Sequence, residues 1–262
     1  MQRRQFLALA GLTVGAGSAL RPFVVDVSGG EEIAAPRNGV QRIIWSVATS
    51  EPRVALTFDD GPDPRLTPQI LDILARYETR ATFMAMGYNA QQYPELVAAV
   101  ADAGHEIGHH SWRHLNLATA SVEDTRLEIE MGARVTEEAA GRPVRLFRPP
   151  KGRLSEAALR LVAHLGHDLV MWSVSRGALD VRSPDLIADH VVGRVDRGDI
   201  IDLHDGIGRG TFDRRGVLAP VLLRRRREEI GALPRILEEL ATRGFQLATV
   251  SELLAASPVD RR

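Results

Sequence analysis

The chain of 262 residues contains no cysteine. This absence excludes disulfide bonds, thiolate metal ligands, a cysteine nucleophile and the acylated cysteine of a lipoprotein. If the protein binds a metal, the ligands must therefore be nitrogen and oxygen atoms.

An excess of charge of either sign is also missing, because 33 Lys and Arg residues stand against 34 Asp and Glu residues. The net charge of -1 gives no electrostatic attraction for nucleic acid or for an anionic membrane surface. We therefore expect no nucleic-acid partner, and we predict no stable protein partner. The basic run Arg224 to Arg227 is interpreted as a solvated helix face or loop, with contact to an acidic wall polymer as the alternative.

The apolar stretch from Leu7 to Leu20 is too short and too rich in glycine for a comfortable membrane span. It overlaps the run Arg-Arg-x-Phe-Leu at residues 3–7, which resembles a twin-arginine export signal. We interpret residues 1–20 as this signal, and cleavage near residues 17–19 is favoured over an uncleaved anchor. The expected location is periplasmic, cell-wall associated or secreted.

The length and the 44% hydrophobic content suit one large domain with a sizeable core. After a linker and lead-in segment at residues 21–52, short apolar runs alternate with helical segments. The predicted strands are Val54–Phe58, Thr82–Met86, Glu106–His109, Arg145–Arg148, Leu169–Val174, Ile200–Leu203 and Gln246–Thr249. The predicted helices are Thr67–Tyr77, Pro94–Ala103, Val122–Ala140, Ser155–Leu165, Pro184–Val195 and Pro234–Thr242.

This alternation predicts a parallel α/β architecture, either an open doubly wound sheet or a barrel. In both architectures, ligands bind beyond the carboxyl ends of the strands. No Gly-x-Gly-x-x-Gly follows the first strand and no Walker-type lysine is present, so a dinucleotide or nucleoside triphosphate site has no support.

The first predicted strand ends in two adjacent carboxylates, Asp59 and Asp60, followed by Gly61-Pro62. Adjacent side chains on a strand point to opposite faces, so the two carboxylates reach one site only if the chain turns there. Gly-Pro makes such a turn, and one carboxylate is then available for a metal and the other for a proton. An ordinary turn with a carboxylate cap is the alternative.

Four of the eight histidines lie within residues 105–114. His110 and His114 have the i, i+4 spacing that places two imidazoles on one side of a helical turn. Together with one carboxylate of the Asp59-Asp60 pair they predict a metal triad with open positions for water and substrate. His105 and His109 are interpreted as structural.

Two further strand ends carry polar residues. The sixth strand ends in Asp202-Leu203-His204, and His204 is a natural general acid, although a plain strand cap is the alternative. At the fourth strand, Arg148 is followed by Pro149-Pro150-Lys151; the prolines lack backbone donors, which leaves the Lys151 amide to point at a ligand.

Four ordered motifs resemble those of the polysaccharide deacetylases of the NodB-homology type, the family-four carbohydrate esterases. They are Thr57-Phe58-Asp59-Asp60-Gly61-Pro62, His110-Ser111-x-x-His114, Phe147-Arg148-Pro149-Pro150 and Leu203-His204-Asp205-Gly206. The resemblance implies a distorted (β/α) barrel with about seven parallel strands, fewer than the eight of a standard barrel. On this basis the deacetylase domain is predicted at residues 53–256, with a tail at residues 257–262.

The resemblance also implies roles for individual residues. Asp60, His110 and His114 would hold one divalent metal ion, most often zinc and sometimes cobalt or nickel. Asp59 would take a proton from the attacking water, the Lys151 amide would help to hold the oxyanion, and His204 would protonate the departing amine. The residues predicted on the substrate side are Arg148, Pro149, Pro150, Lys151, Trp172 and Asp202.

Two departures from the family pattern bear on these roles. In the family, the Trp-Ser-Val strand is usually followed by a motif with two aspartates and a tryptophan. Here the position of the first aspartate is Ser175. If residues 175–180 align without a gap, the second aspartate and the tryptophan are missing as well. In the other departure, Asp202 occupies a position that is apolar in the family. It shares a strand face with His204, so it either replaces the missing acid and raises the pKa of His204 or only rims the pocket.

The sequence therefore predicts an exported metal-dependent hydrolase that removes N-acetyl groups from an N-acetylglucosamine-type polysaccharide, such as peptidoglycan or a chitin-like chain. Its expected partner is the acetylated glycan. One alternative keeps the site but changes the bond, to an O-acetyl ester or a non-sugar amide. Another is an impaired glycan-binding homologue that kept the metal triad and lost the acid at Ser175.

Overall fold

The computed structural model describes residues 42–176, 183–208 and 219–257. The predicted export signal, the linker up to residue 41, most of the tail and the last residues of the altered motif, 177–180, lie outside the described residues. Within the described ranges, no helix has the length and hydropathy needed to cross a membrane.

The described residues form one sheet of parallel strands that curls into a distorted barrel, as the sequence predicts. Its nine strands are β1 (Ile43–Ile44), β2 (Arg53–Asp59), β3 (Thr82–Ala85), β4 (Glu106–His109), β5 (Leu146–Phe147), β6 (Asp168–Val170), β7 (Val174–Ser175), β8 (Ile200–His204) and β9 (Gln246–Ala248). Eight of them follow the order β1-β6-β5-β4-β3-β2-β8-β7, and β9 pairs with β2. Among the described residues β1 and β7 pair with one neighbour each, so the curled sheet is open.

Helices cover the outside of the sheet. In the described ranges they are α1 (Thr67–Arg76), α2 (Gly87–Gln92), α3 (Pro94–Asp102), α4 (Val122–Ala140), α5 (Glu156–His164), α6 (Pro184–Val192), α7 (Ala219–Thr242) and α8 (Val250–Ala255). The predicted bounds of α4 are confirmed because its end signals are strong: Ser121 accepts a hydrogen bond from the amide of Asp124, and Gly141 ends the helix with a φ of 64°. The sequence analysis missed α2, α8 and the part of α7 before Pro234.

Two predictions about strands were wrong. The predicted strand Leu169–Val174 is two strands, β6 and β7, because the carbonyls of Val170 and Met171 accept hydrogen bonds from the Arg148 guanidinium. Between β6 and β7 the chain turns towards β8, and the amide of Ser173 donates a hydrogen bond to the carbonyl of Ile200. In addition, the segment predicted as a linker contains β1, which pairs with β6 and buries Ile44.

Strand β2 lies inside the sheet, and every residue after Arg53 in it is buried. At its carboxyl end the neighbours are β3 and β8, and the register aligns Asp59 with Met84 on one side and with His204 on the other. The carboxyl ends of β2 and β8 therefore meet at the same edge. The other two motifs follow β4 and β5 of the same sheet, so the predicted site residues of all four motifs lie at one edge, because parallel strands end together.

Candidate active site

The two carboxylates at the end of β2 are separated by a backbone turn, as expected from the sequence. Asp60 has a φ of 76°, in the left-handed region that non-glycine residues seldom adopt. Gly61 follows without a side chain because a Cβ there would collide with the Asp205 carboxylate. Both Asp59 and Asp60 are buried, so each must be matched by donors or cations.

The His110-to-His114 segment is an irregular loop, and the predicted helical turn is wrong. Positive φ values at Ser111 (61°) and His114 (62°) fold the loop so that the two imidazoles still meet, with ring centroids 5.0 Å apart. Buried Glu128 of α4 holds the loop, since its carboxylate accepts hydrogen bonds from the Ser111 hydroxyl and the Arg113 amide. The convergence therefore depends on α4 as well as on sequence spacing.

Asp60, His110 and His114 form a cluster that fits a metal ion, and one ligand atom from each lies within 4.8 Å of the others. The Nδ1 atom of His110 donates to the Arg148 carbonyl at 2.8 Å, which leaves Nε2 as an acceptor in the neutral ring. That Nε2 faces Asp60 Oδ1 at 3.8 Å, and His114 Nε2 lies 3.3 Å from the same oxygen. Asp60 Oδ1 makes no hydrogen bond. A buried carboxylate oxygen without a hydrogen bond, close to two imidazole nitrogens, offers the donor set of a cation site.

Neighbouring charges keep Asp60 ionised and burial keeps His114 neutral, which are the protonation states that bind a metal. Burial raises the pKa of Asp60, but His114 and Arg226 outweigh it and leave the pKa well below its ordinary value. Burial lowers the pKa of His114 to about 4, with Asp60 opposing that effect. At neutral pH the carboxylate is therefore charged and the His114 imidazole is neutral.

The other oxygen of Asp60 is bound by Arg226, which corrects the interpretation of the basic run as a solvated face. Arg226 is buried and donates from Nη2 to Asp60 Oδ2 at 3.0 Å and from Nε to the Gly206 carbonyl at 2.8 Å. Its neighbours Arg224 and Arg227 are exposed, as the sequence predicts for that face of α7. One residue in the run turns inward because α7 packs across the end of β8.

Arg148 is fully buried and joins several strand ends. Its Nη1 donates to Asp59 Oδ1 at 2.7 Å, to the Thr57 hydroxyl at 2.8 Å and to Asp202 Oδ1 at 3.1 Å. Asp202 does face the site, as its position on β8 predicts, and its carboxylate lies on the guanidinium. Burial, followed by the nearby Asp59 carboxylate, raises the pKa of Asp202 to about 7.

His204 is held from α7 by an acid that the sequence analysis missed. Its Nδ1 lies 3.0 Å from Glu229 Oε2, and Glu229 is buried. Burial and Arg226 lower the pKa of His204, but Glu229 and then Asp202 outweigh them and raise it to about 8. Glu229 was missed because nothing in the run of four arginines and two glutamates at residues 224–229 marks the inward-facing positions.

The remaining predicted residues border this cluster. Pro149, Pro150 and Lys151 follow Arg148 in a short 3-10 turn, in which Lys151 has a φ of 60°. The Trp172 ring lies under the Arg148 guanidinium at 5.6 Å. Outside the cluster, His105 and His109 are buried, and burial lowers the pKa of both, in accord with a structural role.

Comparisons with known proteins agree with this geometry. The polysaccharide deacetylase family model matches residues 46–170. The chain is 38% identical over 214 residues to a peptidoglycan-N-acetylglucosamine deacetylase of Bacillus cereus, an alignment that covers 81% of this chain and 92% of the relative. It is 33% identical over 212 residues to a chitooligosaccharide deacetylase of Sinorhizobium fredii, which covers 80% of this chain and 96% of that protein.

A solved structure gives the same result in three dimensions. The crystal structure of a peptidoglycan N-acetylglucosamine deacetylase superposes with a TM-score of 0.71 at 30% identity, over 81% of this chain and 92% of that one. The family resemblance of the four motifs is thus confirmed over most of the chain. The chain belongs to the polysaccharide deacetylase family, hydrolases that act on carbon–nitrogen bonds other than peptide bonds.

Proposed function

We propose that the protein is an exported, metal-dependent deacetylase that removes N-acetyl groups from an N-acetylglucosamine-type glycan, either peptidoglycan or a chitin-like chain. The observation that carries the proposal is the convergence of a carboxylate–imidazole metal cluster, a second carboxylate and an oriented imidazole at one sheet edge. Relatives named for peptidoglycan and for chitooligosaccharides support the substrate class.

The metal is proposed on Asp60, His110 and His114, whose donor atoms fit a nitrogen- and oxygen-liganded divalent cation. Zinc is favoured, and cobalt or nickel would use the same atoms. When bound, such an ion supplies Lewis-acid polarisation of the acetamide carbonyl and makes water more acidic. Because Asp60 Oδ2 is paired with Arg226, Oδ1 remains available to bind the ion.

The protein side chains are proposed to move two protons. Asp59 accepts the proton of the attacking water, and Arg148 fixes one oxygen of its carboxylate so that Oδ2 remains available. His204 donates a proton from Nε2 to the amine nitrogen as the carbon–nitrogen bond breaks, which releases acetate and a free amine. The Lys151 amide is proposed as a donor to the oxyanion, and Pro149, Pro150, Trp172 and Asp202 as the surrounding substrate wall.

Two alternatives share parts of this site. Hydrolysis of an O-acetyl ester or a non-sugar amide would need the same groups, since the fold and the metal cluster do not select the amine or alcohol that carries the acetyl group. An impaired glycan-binding homologue was suggested by the serine at position 175. The contact of Glu229 with His204 favours the enzyme, because an acid still supports the imidazole.

The test is acetate release by purified protein lacking residues 1–20. Substrates would be acetylated chitooligosaccharides, intact peptidoglycan and, as the comparison for ester specificity, an O-acetylated xylan. We expect release from an N-acetyl substrate, loss with a chelator and recovery when zinc, cobalt or nickel is returned. Glycan binding without release under every metal condition would favour the impaired homologue, and release only from the ester would favour the esterase.

Export is proposed through residues 1–20, with residues 53–256 as the deacetylase domain. Fractionation of cells expressing the full chain would place it outside the cytoplasm. Replacement of both Arg3 and Arg4 by Lys should retain it inside, because a twin-arginine signal depends on that pair.

A further inference from the structure

His204 lies on β8, but the group that fixes its ring comes from α7. We propose that Glu229 is the positioning residue of His204: its carboxylate orients the imidazole so that Nε2 faces the substrate, and it stabilises the protonated ring. This inference rests on the proposed function, since it assigns the support of the proton donor in that reaction. No motif identified in the sequence includes Glu229.

The geometry leaves one nitrogen for chemistry. His204 Nδ1 lies 3.0 Å from Glu229 Oε2, and an ionised carboxylate only accepts hydrogen bonds, so Nδ1 carries a proton. Nε2 is then the ring nitrogen left for chemistry, and His204 lies at the edge where β2 and β8 end. A histidine that must donate a proton from one defined atom requires this kind of partner on the other.

Glu229 is itself held in place. Its other oxygen, Oε1, accepts from Arg226 Nη1 at 2.9 Å and lies 3.3 Å from Arg176 Nε. Burial raises the pKa of Glu229, but His204 and Arg226 outweigh it and lower the pKa to about 2. The carboxylate is therefore charged at neutral pH and has little freedom to leave the imidazole.

The charges facing His204 come from three elements. Glu229 and Arg226 belong to α7, Asp202 lies on β8 itself, and Asp60 follows β2. Arg226 opposes protonation of the ring, and Asp202 is bound to Arg148, which compensates its charge. Glu229 is the carboxylate among them with a described hydrogen bond to the ring, and Ser175, where an acid is usual in the family, carries no charge.

The experiment compares the pH dependence of kcat/KM for wild-type protein, Glu229→Gln and Glu229→Asp, with Glu239→Gln as the matched control, because Glu239 lies on the same helix and its carboxylate pairs with Arg235. The amide keeps the size of Glu229 and removes its charge. We expect Glu229→Gln to lower the pKa of the alkaline limb by about one to two units. It should also lower kcat more than it raises KM and leave metal content unchanged, while Glu229→Asp keeps part of the shift and Glu239→Gln behaves as wild type.

An alkaline limb that does not move in Glu229→Gln would overturn the inference, and so would loss of metal together with activity, which would place the residue in support of Asp60 through Arg226. A wild-type protein without deacetylase activity would instead defeat the proposed function. In that case the imidazole nitrogen resonances of His204, followed through a pH titration, decide the question independently. An equal pKa in wild type, Glu229→Gln and Glu229→Asp would again contradict the proposal.

Discussion

The two sides of the site are built differently. The metal-ligand side, with the proposed ligands Asp60, His110 and His114, comes from two loops that directly follow β2 and β4. The proton-donor side joins His204 of β8 to Glu229 and Arg226 of α7, which lie beyond a stretch that includes residues outside the described ranges. The first side depends on local turns, whereas the second depends on how a helix docks against the sheet.

Arg226 connects the two sides, because it donates to Asp60 with one nitrogen and to Glu229 with another. A buried guanidinium between two carboxylates compensates both charges, and its removal leaves both uncompensated. The metal-ligand side is thus not independent of α7. The coupling between the two sides can be measured with substitutions whose effects on metal binding and on proton transfer are determined separately.

The largest effect is expected from His114→Ala. The cluster then keeps only two ligand side chains, so stoichiometric metal binding and activity should both be lost. The measurement is metal content after dialysis, with His164→Ala on the exposed end of α5 as control. Full metal content in His114→Ala would remove this residue from the ligand set.

Asp59→Asn and His204→Ala should separate chemistry from metal binding. Each removes a proposed proton carrier, and we expect turnover to fall by about two to four orders of magnitude while the metal remains bound. Turnover on an acetylated chitooligosaccharide and metal content are measured on the same preparation. Near-normal turnover in either variant would show that the residue carries no proton in the rate-limiting step.

The residues of the metal-ligand side could largely be predicted from the sequence, whereas those that α7 contributes to the proton-donor side could not. The place of Asp59, Asp60 and His204 at strand ends could be predicted because an apolar strand that stops at a polar residue and a glycine turn leaves a local signal. His110 and His114 were found by spacing, although the helix assumed for them is an irregular loop held by Glu128. The loop conformation depends on a side chain of α4, which spacing does not reveal.

Arg226 and Glu229 left no comparable signal. They lie three positions apart in a highly charged helix, and the same spacing occurs on solvated faces. Which face is buried is decided by the packing of α7 on α6 and on the sheet. The fold class was predicted because the alternation of strands and helices is local, whereas β1 was missed because a strand of two residues has no period.

Arg226→Gln tests the connection between the two sides. Without its guanidinium, Asp60 Oδ2 loses a charged donor, and metal affinity should fall by about 10-fold to 100-fold, as for other residues that support a ligand. Titration of metal-free protein with zinc measures the effect. Arg227→Gln is the control, since that neighbour is exposed. Equal affinities in the two variants would mean that the metal-ligand side is held by its loops alone.

The smallest effect is expected from Asp202→Asn. Loss of a nearby negative charge lowers the pKa of His204, so the alkaline limb of the kcat/KM profile should move to lower pH. The shift should be smaller than in Glu229→Gln, because the Asp202 carboxylate lies on Arg148 and not on the imidazole. Below its own raised pKa of about 7, Asp202 is largely protonated, so the variant and wild type should converge on the acid side of that value. If instead Asp202→Asn moves the limb further than Glu229→Gln does, the acid that supports His204 lies on its own strand, and the contribution of α7 is limited to the contact of Arg226 with Asp60.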